Sequence, residues 1–126
     1  MRTDILIHKD KNLVEGLKQL NLLKGISRLI LFVIDDQQRV IGSVTDGDIR
    51  RSIVNEQNLN KTLGDICNRE FKHLLQKDSY QSFDKYRKSD IRILPILNQE
   101  GKMVELIDLE YTKAQLPLEA VIMAGG

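Results

Sequence analysis

Two rhythms of apolar residues alternate along the chain. Leu13, Leu17, Leu20 and Leu23 recur at spacings of four and three, which predicts an amphipathic helix over residues 12–24. Gly25 closes it, because glycine tolerates the left-handed conformation of a helix C-terminus. Residues 29–34 form a nearly unbroken apolar run rich in branched side chains, Asp35-Asp36-Gln37-Gln38 is a polar turn, and residues 40–44 read as a second strand. Thr45 and Asp46 stand where either side chain would cap a following helix carrying Ile49, Ile53 and Val54. The first half reads helix, strand, strand, helix.

After a linker at 58–65 the order returns: a helix over 79–88, a strand over 92–97, the turn Asn98-Gln99-Glu100-Gly101 and a strand over 103–107. A spacing of 63 positions carries Asp35 onto Asn98, Arg39 onto Lys102, Val40 onto Met103, Ile41 onto Val104 and Val44 onto Ile107. One constant spacing across a whole strand-turn-strand unit points to internal duplication, although the upstream helices align only after a further shift of about two residues. The tail differs: Leu116-Pro117-Leu118 breaks the pattern, and residues 119–126 read as a buried strand ending in Gly125-Gly126.

Composition narrows the class. At 126 residues, 41% hydrophobic and 29% charged, the chain is a globular domain or two small repeats sharing a core. Nineteen basic against eighteen acidic residues leave a formal charge of +1, so no overall field draws it to nucleic acid or anionic lipid. No stretch approaches the roughly 18 apolar residues of a membrane span, and no signal-peptide run follows Met1. The single Cys67 has no internal disulfide partner and no zinc-site neighbours, so a reducing, cytoplasmic setting is expected, with the thiol half-buried.

The stretch Ile41-Gly42-Ser43-Val44-Thr45-Asp46-Gly47-Asp48-Ile49-Arg50-Arg51 carries the candidate chemistry. It sets a hydroxyl and a carboxylate three residues apart where a strand hands over to a helix, with two guanidinium groups just behind. A carboxylate accepts hydrogen bonds from a ribose diol, a Thr hydroxyl and helix N-terminal N–H groups meet phosphate, and arginines neutralise it. The same residues fit a plain helix cap with solvated arginines, and spacing alone favours that reading. Asp46 and Asp48 read as complements of the helix dipole rather than a magnesium site. His8 and His73 look isolated, with no carboxylate at a metal-like spacing, and Tyr80, Phe83 and Tyr86 read as a core stripe.

Residues 12–51 resemble a CBS motif, in which Gly42, Thr45, Asp48 and Ile49 occupy the signature positions; Thr-Asp-Gly-Asp-Ile-Arg-Arg is similar to CBS motifs attached to bacterial sugar nucleotidyltransferases. The resemblance implies a mixed α/β (α+β) fold of two CBS repeats, each a small sheet packed with helices, joined as one pseudo-two-fold module with a cleft. It divides the chain into a first motif at 1–57, a linker and degenerate second motif at 58–115, and the first strand and glycines of a truncated nucleotidyltransferase domain at 116–126.

It implies ribose at Asp48 and phosphate near Thr45, with Asp46, Arg50 and Arg51 as further binding candidates, and neither catalytic nor metal-binding residues. The second copy resembles the family in Ile93-Leu94-Pro95-Ile96-Leu97-Asn98 and Gly101 but sets Glu105, Asp108 and Tyr111 where the first has Gly42, Thr45 and Asp48, so at most one site is expected to be occupied. The implied function is a non-catalytic regulatory module that takes AMP, ADP or ATP and changes the angle or rigidity between its copies to bias the downstream domain. The implied partners are that domain and a second copy in a homodimer, with no nucleic acid and no membrane. A dimerisation scaffold that binds no ligand is the alternative.

Overall fold

The computed structural model describes residues 3–23, 29–56, 60–78, 85–86 and 91–109. Their order is β1 (Leu6–His8), α1 (Leu13–Leu22), β2 (Ile30–Ile34), β3 (Val40–Thr45), α2 (Asp46–Glu56), α3 (Leu63–Ile66), β4 (Leu74–Leu75), β5 (Ile93–Leu97) and β6 (Met103–Asp108). Chain contacts divide the described residues into two compact units, one drawn from 3–71 and the other from 72–109. Each holds a three-stranded sheet, β1-β2-β3 in the first and β4-β5-β6 in the second, with the outer strands parallel and antiparallel to the middle one. The fold is the mixed α+β class expected, with small sheets packed with helices. None of the described helices is long and apolar enough to cross a membrane.

The hairpins repeat in register. Ile30 faces Thr45 and Ile93 faces Asp108; Val33 faces Gly42 and Ile96 faces Glu105; the pairing slips after Val33 in one and after Ile96 in the other. The turns repeat too. The Asp35 carboxylate accepts from the N–H groups of Gln37 and Arg39, and the Asn98 side-chain oxygen accepts from those of Glu100 and Lys102. Each turn has one residue with positive φ, Gln38 at 65° and Gly101 at 84°. All these pairs lie 63 positions apart.

The outer parallel strands escape the sequence pattern, because three and two residues are too few to show alternation. They also differ for a stated reason. In the first unit Phe32 N–H donates to Ile5 O (2.8 Å), and Leu6 lies opposite Phe32. Pro95 stands at the matching place in β5 and has no N–H, so β4 pairs only from Ile96 onward.

The first unit packs its helices through Gly16. Asn12 caps α1 by accepting from Glu15 N–H, while Glu15 reaches back to Asn12 N–H, and Leu13, Gly16, Leu20 and Leu23 are buried. A Cβ on Gly16 would lie 3.0 Å from both Ile49 and Leu63, so α1 meets α2 and α3 closely at this point. Ile49 is fully buried and Val54 is 70% exposed, so α2 turns Ile49 to the core and Val54 away from it. The stretch read as a linker contains α3, whose Leu63 is fully buried and whose first N–H groups donate to Lys11 O and Lys9 O. In the second unit Leu74, Leu94 and Leu109 form a buried cluster with Tyr86 packed on it, a core role as expected. Of the helix read over 79–88, Lys85 and Tyr86 are described and helical. The rest of it, Gly25, Tyr80, Phe83, Tyr111 and the tail 116–126 lie outside the described residues.

Candidate functional site

The junction of β3 and α2 is built by a reciprocal pair. Asp48 N–H donates to Thr45 Oγ1 (3.2 Å), and Asp48 Oδ2 accepts from Thr45 N–H (3.0 Å), so the side chains satisfy backbone donors that the first turn leaves unpaired. Thr62 and Asp65 do the same for α3, at 3.0 and 3.3 Å. Thr45 and Asp48 therefore perform the capping role, and their spacing alone does not separate a ligand site from a cap. That signal, a hydroxyl residue followed three places on by an acid, also marks α3 in the sequence.

What distinguishes α2 is the pair of arginines. Both fold back along the helix onto the preceding turn: Arg50 Nε lies 3.0 Å from each oxygen of Asp46, and Arg51 Nη2 lies 2.7 Å from Asp48 Oδ1. The arginines are two-thirds exposed, while Asp48 is only 28% exposed. The second pair passes over Gly47. A Cβ there would lie 3.2 Å from Arg51 Nη1 and 3.8 Å from Cζ and Nη2, so the guanidinium rests where a side chain would otherwise project. All five candidate residues are thus brought together at one helix end, as two internally neutralised ion pairs rather than an open basic patch. One turn beyond Asp48, Ser52 Oγ is buried without a hydrogen-bond partner among the described residues.

Residues 1–55 match the family model of the CBS domain. The cystathionine β-synthase pair domain of the Mg2+ transporter SO5017 from Shewanella oneidensis superimposes with a TM-score of 0.74 at 13% identity, over 94% of this chain and 66% of that one. The whole described architecture decides the matter. The chain has the fold of a CBS-domain pair. CBSX2 in complex with AMP is similar at 18% identity, with a TM-score of 0.69 over 94% of this chain and 88% of that one. The cytosolic domain of the Mg2+ channel MgtE in complex with ATP is similar at 16%, with a TM-score of 0.67 over 89% of this chain and 44% of that one. No curated protein is similar enough to the sequence to match it.

Within this fold, Gly42 has a structural reason that the motif does not reveal. Ser43 exchanges two backbone hydrogen bonds with Asn68, so residues 67 and 68 run along the edge of β3. A Cβ on Gly42 would fall 2.5 Å from Cys67 Sγ and 3.0 Å from Asn68 O. Burial pushes the Cys67 thiol above its ordinary range. The second copy has Glu105 at the position of Gly42 and Asp108 at that of Thr45. Burial pushes the Glu105 carboxyl up as well.

His8 is not isolated, which corrects the expectation from sequence. The hairpin turn brings Asp36 Oδ1 to 2.7 Å from its Nε2, and Asp10 N–H donates to its Nδ1 at 3.1 Å. The ligating atoms of His8, Asp10 and Asp36 lie within 4.8 Å of one another, but both ring nitrogens are engaged and the Lys9 ammonium stands 3.1 Å from Asp10. With the Nδ1 accepting, Nε2 carries the proton given to Asp36. The cluster ties the end of β1 to the β2–β3 turn. Two open hollows, one lined by Leu6, Lys11 and Leu22 and one by Leu75, Lys77 and Asn98, do not include Thr45 or Asp48.

Proposed function

We propose that the chain is a regulatory module that binds an adenine nucleotide, AMP, ADP or ATP, at the start of α2 and thereby controls an attached sugar-phosphate nucleotidyltransferase domain. The observation that carries the reading is the grouping of Thr45, Asp48, Arg50 and Arg51 around one helix N-terminus in a CBS fold. Asp48 takes the ribose hydroxyls, Thr45 and the first N–H groups of α2 face phosphate, and the two arginines supply positive charge within one turn. The AMP and ATP complexes of proteins with this fold support the ligand class. Similarity of residues 116–126 to the opening of a nucleotidyltransferase supports the attached domain. Control of the attached domain requires that the nucleotide bind its regulated arrangements with different affinity.

Calorimetric and thermal-shift titration with AMP, ADP, ATP, S-adenosylmethionine and GTP tests the reading. A ligand present at 100 times its dissociation constant stabilises the folded state by about 2.7 kcal/mol. Saturable stabilisation by an adenine nucleotide is expected, and Asp48→Asn, which keeps an acceptor for Thr45 N–H, should abolish it while the melting curve of the free protein stays cooperative. If no nucleotide shifts the wild type at millimolar concentration, the sensor reading fails and a ligand-free dimerisation scaffold takes its place.

A further inference from the structure

We propose that Arg51 makes binding at this site favour phosphate: it holds Asp48 in the free protein and releases it more readily to a ligand whose own anion takes the guanidinium. The proposal rests on the nucleotide reading above. Asp48 is committed on both oxygens. Oδ2 is spent on Thr45 N–H, a bond α2 needs for its first turn, and Oδ1 is held by Arg51 Nη2 at 2.7 Å. The oxygen free of the cap is the one that a ribose diol reaches without disturbing α2, and there the diol competes with the guanidinium. Arg51 reaches it across Gly47, whose missing Cβ would lie 3.2 Å from Nη1. The comparison with α3 isolates the device, since Asp65 makes the same cap but Asn68 stands where Arg51 stands beside Asp48.

The consequence is a coupling. A nucleoside without phosphate weakens the Asp48–Arg51 pair by competing for Oδ1 and gives the guanidinium nothing but water in return. A nucleotide breaks the same pair and offers phosphate to the freed guanidinium, a charge-assisted hydrogen bond of the strong kind. Phosphate and nucleoside therefore favour each other through Arg51, and linkage makes that preference mutual.

Titration of the full chain with adenosine, with AMP, and with adenosine in saturating inorganic phosphate against chloride of equal ionic strength tests this, in the wild type and in Arg51→Gln. Exposed ion pairs set the scale, so effects of about two- to fivefold are expected. Phosphate should tighten adenosine binding by that factor in the wild type and leave Arg51→Gln unchanged. Arg51→Gln should bind adenosine about two- to fivefold more tightly than the wild type, and AMP more weakly. If the wild type binds AMP but Arg51→Gln leaves adenosine affinity unchanged or lowers it, the gate is wrong and the nucleotide reading stands. If the wild type binds neither adenosine nor AMP, both fall together.

Discussion

A methyl group at Gly42 has nowhere to go. It would meet Cys67 Sγ at 2.5 Å, Cys67 Cβ at 3.0 Å and the Asn68 carbonyl at 3.0 Å, and two of these three belong to parts that do not rotate away. Overpacking of this kind costs about 1–3 kcal/mol, so Gly42→Ala should lower the unfolding free energy by that amount, read as a lower urea midpoint with the slope unchanged. Adding Cys67→Ala removes the thiol but not the carbonyl, so the double variant should recover only part of the loss. The outcome bears on function, because a purely ligand-binding glycine would change affinity and leave the free protein as stable as before. The sequence marks Gly42 through the motif, yet its neighbour arrives 25 positions later, from a segment with no periodic signal. Arg51 is a similar case. The string shows an arginine three places after Asp48, but not that its exposed guanidinium folds back onto the Asp48 carboxylate.

At the level of elements, the two hairpins form a natural comparison of one turn closed by an acid and by an amide. Desolvation pushes the Asp35 carboxyl up, but hydrogen bonds from Arg39 and Gln37 and the charge of Arg39 outweigh it and hold the group below its ordinary 3.8. A depressed carboxyl contributes stability that is complete above the unfolded value and is lost as pH falls through the folded one. Asn98 makes the same two turn hydrogen bonds with nothing to titrate. Asp35→Asn should therefore keep the hairpin at neutral pH while flattening the loss of stability below about pH 4, and Asp35→Ala should weaken the protein at every pH. Melting temperatures of the three proteins from about pH 2 to pH 7 decide it. This duplication was the most legible feature of the chain, because turn chemistry and strand alternation repeat over one spacing. Helix α3 was not legible as a helix, since four residues have no periodicity and only the pair Thr62 and Asp65 announces it. Strands β1 and β4 were missed for the same reason of length, and Pro95 explains why the second is the shorter.

For the molecule as a whole, a shared fold does not imply a shared site. The two sheets agree residue by residue in register, so the differences between them fall at defined places: Glu105 for Gly42, Asp108 for Thr45. In the first unit the position at the end of the second hairpin strand offers a hydroxyl and begins a capped helix; in the second it offers a carboxylate. A phosphate bearing close to two negative charges, placed beside Asp108, would be repelled where the first unit attracts it, by about 1 kcal/mol for each unit charge at 4 Å even in water and more where water is excluded. Glu105 adds a side chain where Gly42 has none. The nucleotide reading thus leads to a stoichiometry. Calorimetric titration should find one adenine nucleotide per chain, with the enthalpy saturating in a single step, and Asp108→Asn should leave that number at one. Two equivalent sites per chain would overturn the single-site reading, and a single site that survives Asp48→Asn and is lost on changing Asp108 would move the ligand to the second unit. A single occupied site also makes the ligand's effect asymmetric. Under the nucleotide reading Arg51 then senses phosphate on one repeat only, and the ligand's effect begins from α2, the helix whose cap Asp48 closes.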